Sequence, residues 1–298
     1  MAALRESKGV ARIFVLIATV GRAGLVRCTV DMLADQTRPA DGIVVASVTP
    51  QDVAGVELAR GSPEILFSEK GSCRQRNHAL AALEGRADVI VFLDDDFIPA
   101  PDYLAQVEAL FAADPDLVGI TGDLLADGVQ CGGFSIEQAQ QIIASRPHRF
   151  PPEMTERHEL YGCNMAVRAA AAHGLRFDEN LPLYGWQEDV DYTNRLGRRG
   201  RMIASPRVTG VHLGFSGGRT SGRRFGYSQV ANIVYLKRKG TMRPDFANRL
   251  VTKNLFVNVL RSVRPEPAID RRGRLAGNML AVIDCLRGRV DPRRILDM

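Results

Sequence analysis

Between residues 10 and 111, short runs rich in Val and Ile alternate with stretches whose apolar residues recur at helical spacing. Strands are read at Val10 to Thr19, Ile43 to Ser47, Ile65 to Phe67 and Val89 to Leu93. Helices are read at Leu25 to Ala34, Arg74 to Leu83 and Asp102 to Phe111. Alternation of this kind means right-handed βαβ units and a mostly parallel sheet, an α/β fold with a Rossmann-like core. Ligands of such sheets sit beyond the carboxyl ends of the strands, so the residues that follow each apolar run carry the functional information.

From Gly122 to Glu159 the pattern loosens, with Gly132-Gly133, Pro147 and Pro151-Pro152 marking loops around a helix at Ile136 to Ala144. Regular structure returns at Tyr161 to Val167, and a helix from Glu188 to about Arg199 precedes a short strand, Arg201 to Ala204, that Pro206 ends. After the Gly-rich HLGFSGGRTSGRR only helical patterns remain, near Tyr227 to Lys239, Phe246 to Val263 and Leu275 to Leu286. The expected organisation is an α/β domain over residues 1–215 and a basic, mainly helical extension over 216–298.

Composition sets the class. With 45% hydrophobic and 24% charged residues in 298, the chain is ordinary globular protein. No run approaches the ~20 apolar residues of a spanning helix. The N-terminal MAALRESKGVAR lacks an apolar export core, and five scattered cysteines without CxxC spacing indicate neither a disulfide framework nor a cysteine zinc site. A cytoplasmic location is expected. Charge is divided unevenly: residues 1–194 hold 16 Lys and Arg against 28 Asp and Glu, a net of −12, whereas residues 195–298 hold 23 against 6, a net of +17. The basic part calls for an anionic partner or a solvated basic face.

Asp94, Asp95 and Asp96 follow directly on the apolar strand DVIVFL. Adjacent carboxylates at the end of a buried strand repel one another unless a cation or donors neutralise them, and Mg²⁺ or Mn²⁺ with oxygen ligands meets that need. An acidic helix start before Asp102 or an exposed loop accommodates them as well. A second cluster, Trp186-Gln187-Glu188-Asp189-Val190-Asp191, opens a helix, where the N-terminal dipole alone favours acids.

Four segments taken in order resemble the inverting family 2 glycosyltransferases of the GT-A fold, over about residues 10 to 215: ATVGR, GSCRQRNHAL, FLDDDFIP, and YGCNMAVR with RFDENLPLYGWQEDVDYTNRLGRRG and VHL. The resemblance implies transfer of a sugar from a nucleotide-diphosphate donor to a saccharide or lipid-linked hydroxyl, with Mn²⁺ or Mg²⁺ as cofactor. It assigns Asp94, Asp96 and His212 to the metal, and Asp189 to general base with Glu188 in support. Thr19, Gly21, Arg22, Arg76, Asn77 and Asp94 fall to the donor, with Asp95 near the ribose. Trp186 and Asn164 fall to the acceptor. The chemistry needs one metal–carboxylate centre and one separate carboxylate base, and the sequence offers both.

One departure concerns the nucleobase. The family's acid after its second strand is replaced in IVVASVTPQD by Ala46 and Ser47, which leaves uridine, guanosine and deoxythymidine donors open. A nucleotidyltransferase would show a longer Gly-rich phosphate loop after the first strand, and a dehydrogenase a GxGxxG there. The basic C-terminal part raises nucleic-acid binding, but interleaved aromatics and a recognition motif are missing, so nucleic acid is not an expected partner. The stripe of Phe246, Leu250, Val251, Leu255, Val259 and Leu260, flanked by Arg249, Lys253, Arg261 and Arg264, either packs onto the catalytic domain or lies on an anionic membrane; packing suits the apolar residues, and peripheral contact with the inner face of the membrane is the expectation for the excess of cations.

Overall fold

A computed structural model describes residues 11–129, 132–146, 154–215, 221–264 and 269–298. Val10, Cys131, Pro147, Pro151, Pro152 and residues 216–220 of the Gly-rich stretch lie outside the described residues. In chain order the elements are β1 (Ile13–Ala18), α1 (Ala23–Leu33), β2 (Gly42–Ser47), β3 (Glu64–Phe67), α2 (Ser72–Ala82), β4 (Val89–Asp94), β5 (Phe97–Pro99), α3 (Tyr103–Ala113) and β6 (Leu117–Asp127). They continue with α4 (Ile136–Ala144), β7 (Thr155–Glu156), β8 (Asn164–Arg168), α5 (Ala169–Ala172), α6 (Glu188–Leu196), β9 (Arg201–His212), α7 (Gly222–Lys239), α8 (Pro244–Ser262) and α9 (Arg271–Leu286).

One sheet, ordered β3-β2-β1-β4-β8-β6-β9-β5 with β7 beside β9, carries the molecule. Strands β3, β2, β1, β4, β6 and β9 point one way, and β8, β5 and β7 oppose them. The carboxyl ends of β1, β4, β6 and β9 therefore share one edge with the start of β8. β1 (IFVLIA) and β4 (VIVFLD) are apolar on both faces because both faces are covered. Leu16, Phe92, Met165 and Tyr192 pack on one side of the sheet, and Ile17, Val91, Leu93 and Tyr103 on the other.

Three expectations are corrected. Pro206 does not end a strand: β9 runs twelve residues, and the register against β6 jumps from Gly122↔Ser205 to Asp123↔Thr209, so the proline, which has no N–H to give, bulges out of the ladder. For the same reason β6 continues beyond Gly122 to Asp127, where loops were expected. Helix α6 stops at Leu196, and a short 3₁₀ turn covers Gly197–Arg199.

The expected boundary after residue 215 marks a change of element type, not a break in the core. Ile233 and Leu236 of α7, Met242 in the turn before α8 and Ala247 of α8 join Phe92 and Tyr192 in one cluster, and Phe246, Leu250 and Val251 of the expected stripe pack against it. Helices α7 and α9 meet through glycines: a Cβ on Gly226 would lie 2.0 Å from the Arg274 carbonyl oxygen, and one on Gly277 2.0 Å from that of Arg223. Any larger residue forces these backbones apart.

Candidate active site

β4 delivers Asp94 to the shared edge, and the turn after it delivers Asp95 and Asp96. His212 ends β9 and is in register with Asp127, the last residue of β6. Side-chain ligand atoms of Asp94, Asp96 and His212 lie within 4.8 Å of one another. His212 Nε2 is 3.3 Å from Asp96 Oδ1, and its Nδ1 is 3.1 Å from Asp127 Oδ1. Asp127 thus fixes the ring so that Nε2 faces the aspartates, as second partners of ligating histidines do. Burial disfavours the imidazolium, but hydrogen bonds to Asp127 and Asp96 and the field of the aspartates outweigh it and push His212 up to about 10.

Asp95 turns the other way. It is buried, and it accepts hydrogen bonds from Thr19 Oγ1 at 2.6 Å and Arg22 Nη1 at 2.7 Å. Burial pushes its carboxyl up to about 6 against the pull of Arg22. Asp96 accepts the Phe215 N–H at 2.9 Å; although burial opposes it, His212 and Arg22 hold this carboxyl below the usual range.

Arg76 joins the two acidic groups. Nη2 donates to Asp94 Oδ1 at 2.9 Å and to the Gly162 carbonyl at 3.2 Å, and Nη1 donates to Glu188 Oε1 at 2.7 Å. Burial, with Asp189 adding to it, raises Glu188 to about 8 in spite of Arg76. Asp189 is only partly buried. Its carboxylate accepts the Gly162 N–H at 2.9 Å and the Val190 N–H at 2.8 Å, and burial outweighs these bonds to raise its pKa. Gly162 therefore gives its N–H to one acidic cluster and its carbonyl to the arginine that reaches the other.

The family model for glycosyl transferase family 2 matches residues 14–178. The chain belongs to that family. No curated protein matches it. Among solved structures it is similar to TarS of S. aureus (16% identity, TM-score 0.55, covering 84% of this chain and 44% of that one). It is also similar to the mannosyltransferase PcManGT from Pyrobaculum calidifontis in complex with GDP-Man and Mn²⁺ (19%, TM-score 0.50, covering 97% and 79%). A third is glucosyl-3-phosphoglycerate synthase from Mycobacterium tuberculosis with Mn²⁺ and UDP (15%, TM-score 0.51, covering 78% and 82%). At these identities the likeness is one of fold, the GT-A fold, and the chain spans less than half the length of TarS.

Within this family 2 site Asp94, Asp96 and His212 form one group, Thr19, Arg22 and Asp95 a second, and Arg76, Glu188 and Asp189 a third, all at one sheet edge. Gly21, at φ 68°, donates its N–H to Asp52 at 2.7 Å. An acid is thus present near the end of β2 after all, five residues later than Ser47. Trp186 lies partly buried with its ring edge-on to Phe225 at 5.8 Å, and its carbonyl accepts from Asn232 at 2.8 Å.

Three expected ligands are corrected. Asn164 is fully buried: it accepts from Thr121 and donates to the Gly122 carbonyl, so it braces β8 against β6 beneath the site instead of meeting an acceptor. Asn77 grips the Phe177 backbone through both ends of its amide, at 2.7 and 3.0 Å, instead of lining a nucleotide pocket. Arg76 is likewise enclosed, so its role is to bridge carboxylates and not to present an open fork. Sequence reading missed Asp127, Gly162 and Gln75, whose amide donates to the carbonyls of Thr19 and Ala46 at 2.8 and 2.9 Å. Gln75 sits inside GSCRQRNHAL, directly before the arginine that drew notice.

Proposed function

We propose that the chain is a metal-dependent, inverting glycosyltransferase that moves a sugar from a nucleotide-diphosphate donor to a hydroxyl of a saccharide or lipid-linked acceptor, in polysaccharide or glycolipid synthesis. One observation carries the reading: an oxygen and imidazole triad and a separate carboxylate, Asp189, stand at one sheet edge, coupled through Arg76 and Gly162.

The residues fit a hard divalent cation. Six carboxylates (Asp94, Asp95, Asp96, Asp127, Glu188, Asp189) meet Arg22, Arg76 and His212 among the described residues, an excess of negative charge even with the imidazole protonated. Asp94, Asp96 and His212 would hold Mn²⁺ or Mg²⁺, which when bound supplies positive charge for a departing diphosphate. Arg22, beside Asp95 and Asp96, adds a fixed cation on the donor side, and Thr19 and Gly21 line the same loop.

Asp189 takes the proton of the acceptor hydroxyl, whose oxygen forms a bond to the anomeric carbon as the bond to the diphosphate oxygen breaks. A single displacement of this kind inverts the anomeric centre. The Gly162 and Val190 N–H groups hold the carboxylate in place, and Arg76 fixes Glu188 beside it by donating to Oε1. Trp186 offers an aromatic face near the acceptor side. In this reading residues 1–215 are the catalytic domain, 216–298 are the basic extension, and the enzyme works in the cytoplasm or at the inner face of the membrane.

The test is release of nucleoside diphosphate from UDP-, GDP- and dTDP-sugars with Mn²⁺, with and without EDTA. Release by one nucleotide class, abolished by EDTA, is the expected result. Full activity in EDTA refutes the metal role, and an NMR spectrum showing a retained anomer refutes inversion.

A further inference from the structure

Helix α8 packs through one side. Ala247 and Asn258 are buried, and Leu250, Val251 and Leu255 lie on the two adjoining cores. A helix used in this way turns a polar face to water. From residue 256 onward α8 does the reverse: Phe256 and Leu260, with Val263 directly after the helix, are 66%, 62% and 78% exposed, and Val259 stands beside them. Helix α9, joined to α8 by the Asn258 to Asn278 hydrogen bond, exposes Met279, Ile283 and Leu286 at spacings of four and three, the last at 84%. Large apolar side chains in such number on two touching helices exceed the scattered exposure of a free surface.

Cations surround them. Arg249 and Lys253 are exposed on α8 and Arg264 just after it, and Arg272 and Arg287 lie at the two ends of the α9 stripe. Across residues 246–264 and 271–287 the sole acid is Asp284, which is fully buried against Tyr227, Arg289 and Arg294. The α8 stripe also runs back through Thr252 and Asn248 into an open groove of about 510 Å³ against α7, lined by Ile233, Val251, Lys237 and Arg238.

We propose that the outer face of α8 and α9 docks on an anionic lipid bilayer, with Phe256, Leu260, Val263 and the α9 stripe entering the acyl boundary and the surrounding cations meeting lipid phosphates. A second copy of the chain fits less well, because a two-fold contact would set each cationic rim against itself. Nucleic acid satisfies the cations but gives Leu, Val and Ile nothing to bury against, its stacking partners being aromatic. The contact deepens the lipid-linked branch of the proposed function by naming the surface that brings the enzyme to its acceptor. Its test does not depend on transfer.

The full chain is floated with vesicles of phosphatidylcholine alone and of phosphatidylcholine mixed with phosphatidylglycerol, at low salt and at about 1 M salt, where the screening length falls to about 3 Å. Binding only to the anionic vesicles, reversed by salt, is expected. Leu260→Asp with Val263→Asp lowers the partition coefficient about tenfold or more, and Lys253→Ala lowers it about fivefold. Unchanged urea unfolding and unchanged release of nucleoside diphosphate from a soluble donor in these variants separate loss of the membrane contact from loss of fold or of catalysis. Failure to bind either vesicle, equal salt-insensitive binding to both, or flotation untouched by Leu260→Asp with Val263→Asp overturns the proposal. Dissociation of a dimer by that variant in sedimentation velocity, without any effect on flotation, assigns the face to a second copy.

Discussion

Arg76→Met tests whether one buried guanidinium holds the two halves of the site together. Arg76 is 4% exposed and reaches Glu188 at 2.7 Å, Asp94 at 2.9 Å and the Gly162 carbonyl at 3.2 Å, with its guanidinium over the Phe177 ring at 5.3 Å. Methionine keeps most of the volume and the contact with Phe177 but leaves Asp94, Glu188 and Asp189 with no cation between them. Removing one partner of a buried ion pair costs about 3–5 kcal/mol. Glu188, already raised to about 8, holds its proton at neutral pH and so leaves less orphan charge, which places the loss near the lower bound. At roughly 2–4 °C per kcal/mol for a domain of this order, Tm falls by about 6–12 °C. The sign with pH follows from the same group. A carboxyl whose folded pKa lies above its unfolded value contributes most favourably below the unfolded value and loses that contribution as pH rises through the folded one. Without Arg76 the folded value of Glu188 rises further, so across about pH 5 to 10 the deficit of the variant is flat while both folded forms hold the proton and grows above about 8, where only the wild type releases it. Urea unfolding in EDTA across that range measures it, and adding Glu188→Leu recovers part of the loss, because a paired replacement leaves no orphan charge. A deficit under about 1 kcal/mol, a deficit that shrinks as pH rises, or additive single variants would show that the bridge does not hold the site.

Asp189→Asn lowers turnover by about 10²–10⁴-fold while donor binding is kept, as loss of a general base requires, and normal turnover would move the base elsewhere. Asp96→Ala removes Mn²⁺ binding and donor binding together, read by calorimetric titration of each; donor affinity that persists in this variant contradicts the metal's part in holding the diphosphate. Asp127→Asn weakens Mn²⁺ binding by about 10–100-fold through loss of ring orientation at His212, and an unchanged titration denies Asp127 that role.

The order of strands and helices was readable because periods of 2 and 3.6 are local properties. What was not readable came from pairing between distant segments. β6 and β9 look broken at Gly122 and Pro206 when taken singly, yet each continues because the other supplies its ladder, and the register jump absorbs the proline. The site divides in the same way. Asp94, Asp96, Asp189 and His212 stand in recognisable local patterns. Asp127 matters only because β6 and β9 end side by side, which places it opposite His212 from 85 residues away. Asn77 and Asn164 stood in the expected segments, but the partners of their amides are backbone groups of other elements, and no local pattern names those.

The loop that presents Trp186 and Asp189 is held from two directions, and one of them is the basic extension. On the donor side α2 grips it: the Ser72 N–H donates to the Leu183 carbonyl at 2.8 Å, its hydroxyl to the Tyr184 carbonyl at 3.0 Å, and Asn77 holds Phe177. On the other side α7 supplies Asn232 to the Trp186 carbonyl, Tyr235 to Asp178 at 2.8 Å, and Lys239 to both Asp178 and Asp191 at 2.6 and 2.7 Å. Gln187 sits between these clamps at φ 74°, a conformation a non-glycine residue adopts at a cost that its surroundings must offset. That turn starts α6 and aims Asp189 at Gly162. Part of the positive charge of residues 195–298 is therefore spent inside the molecule, on Asp178 and Asp191 behind the candidate base. Other cations stay outward, among them Arg249 and Lys253 of α8 and Arg272 of α9, beside the apolar face that the sheet does not cover.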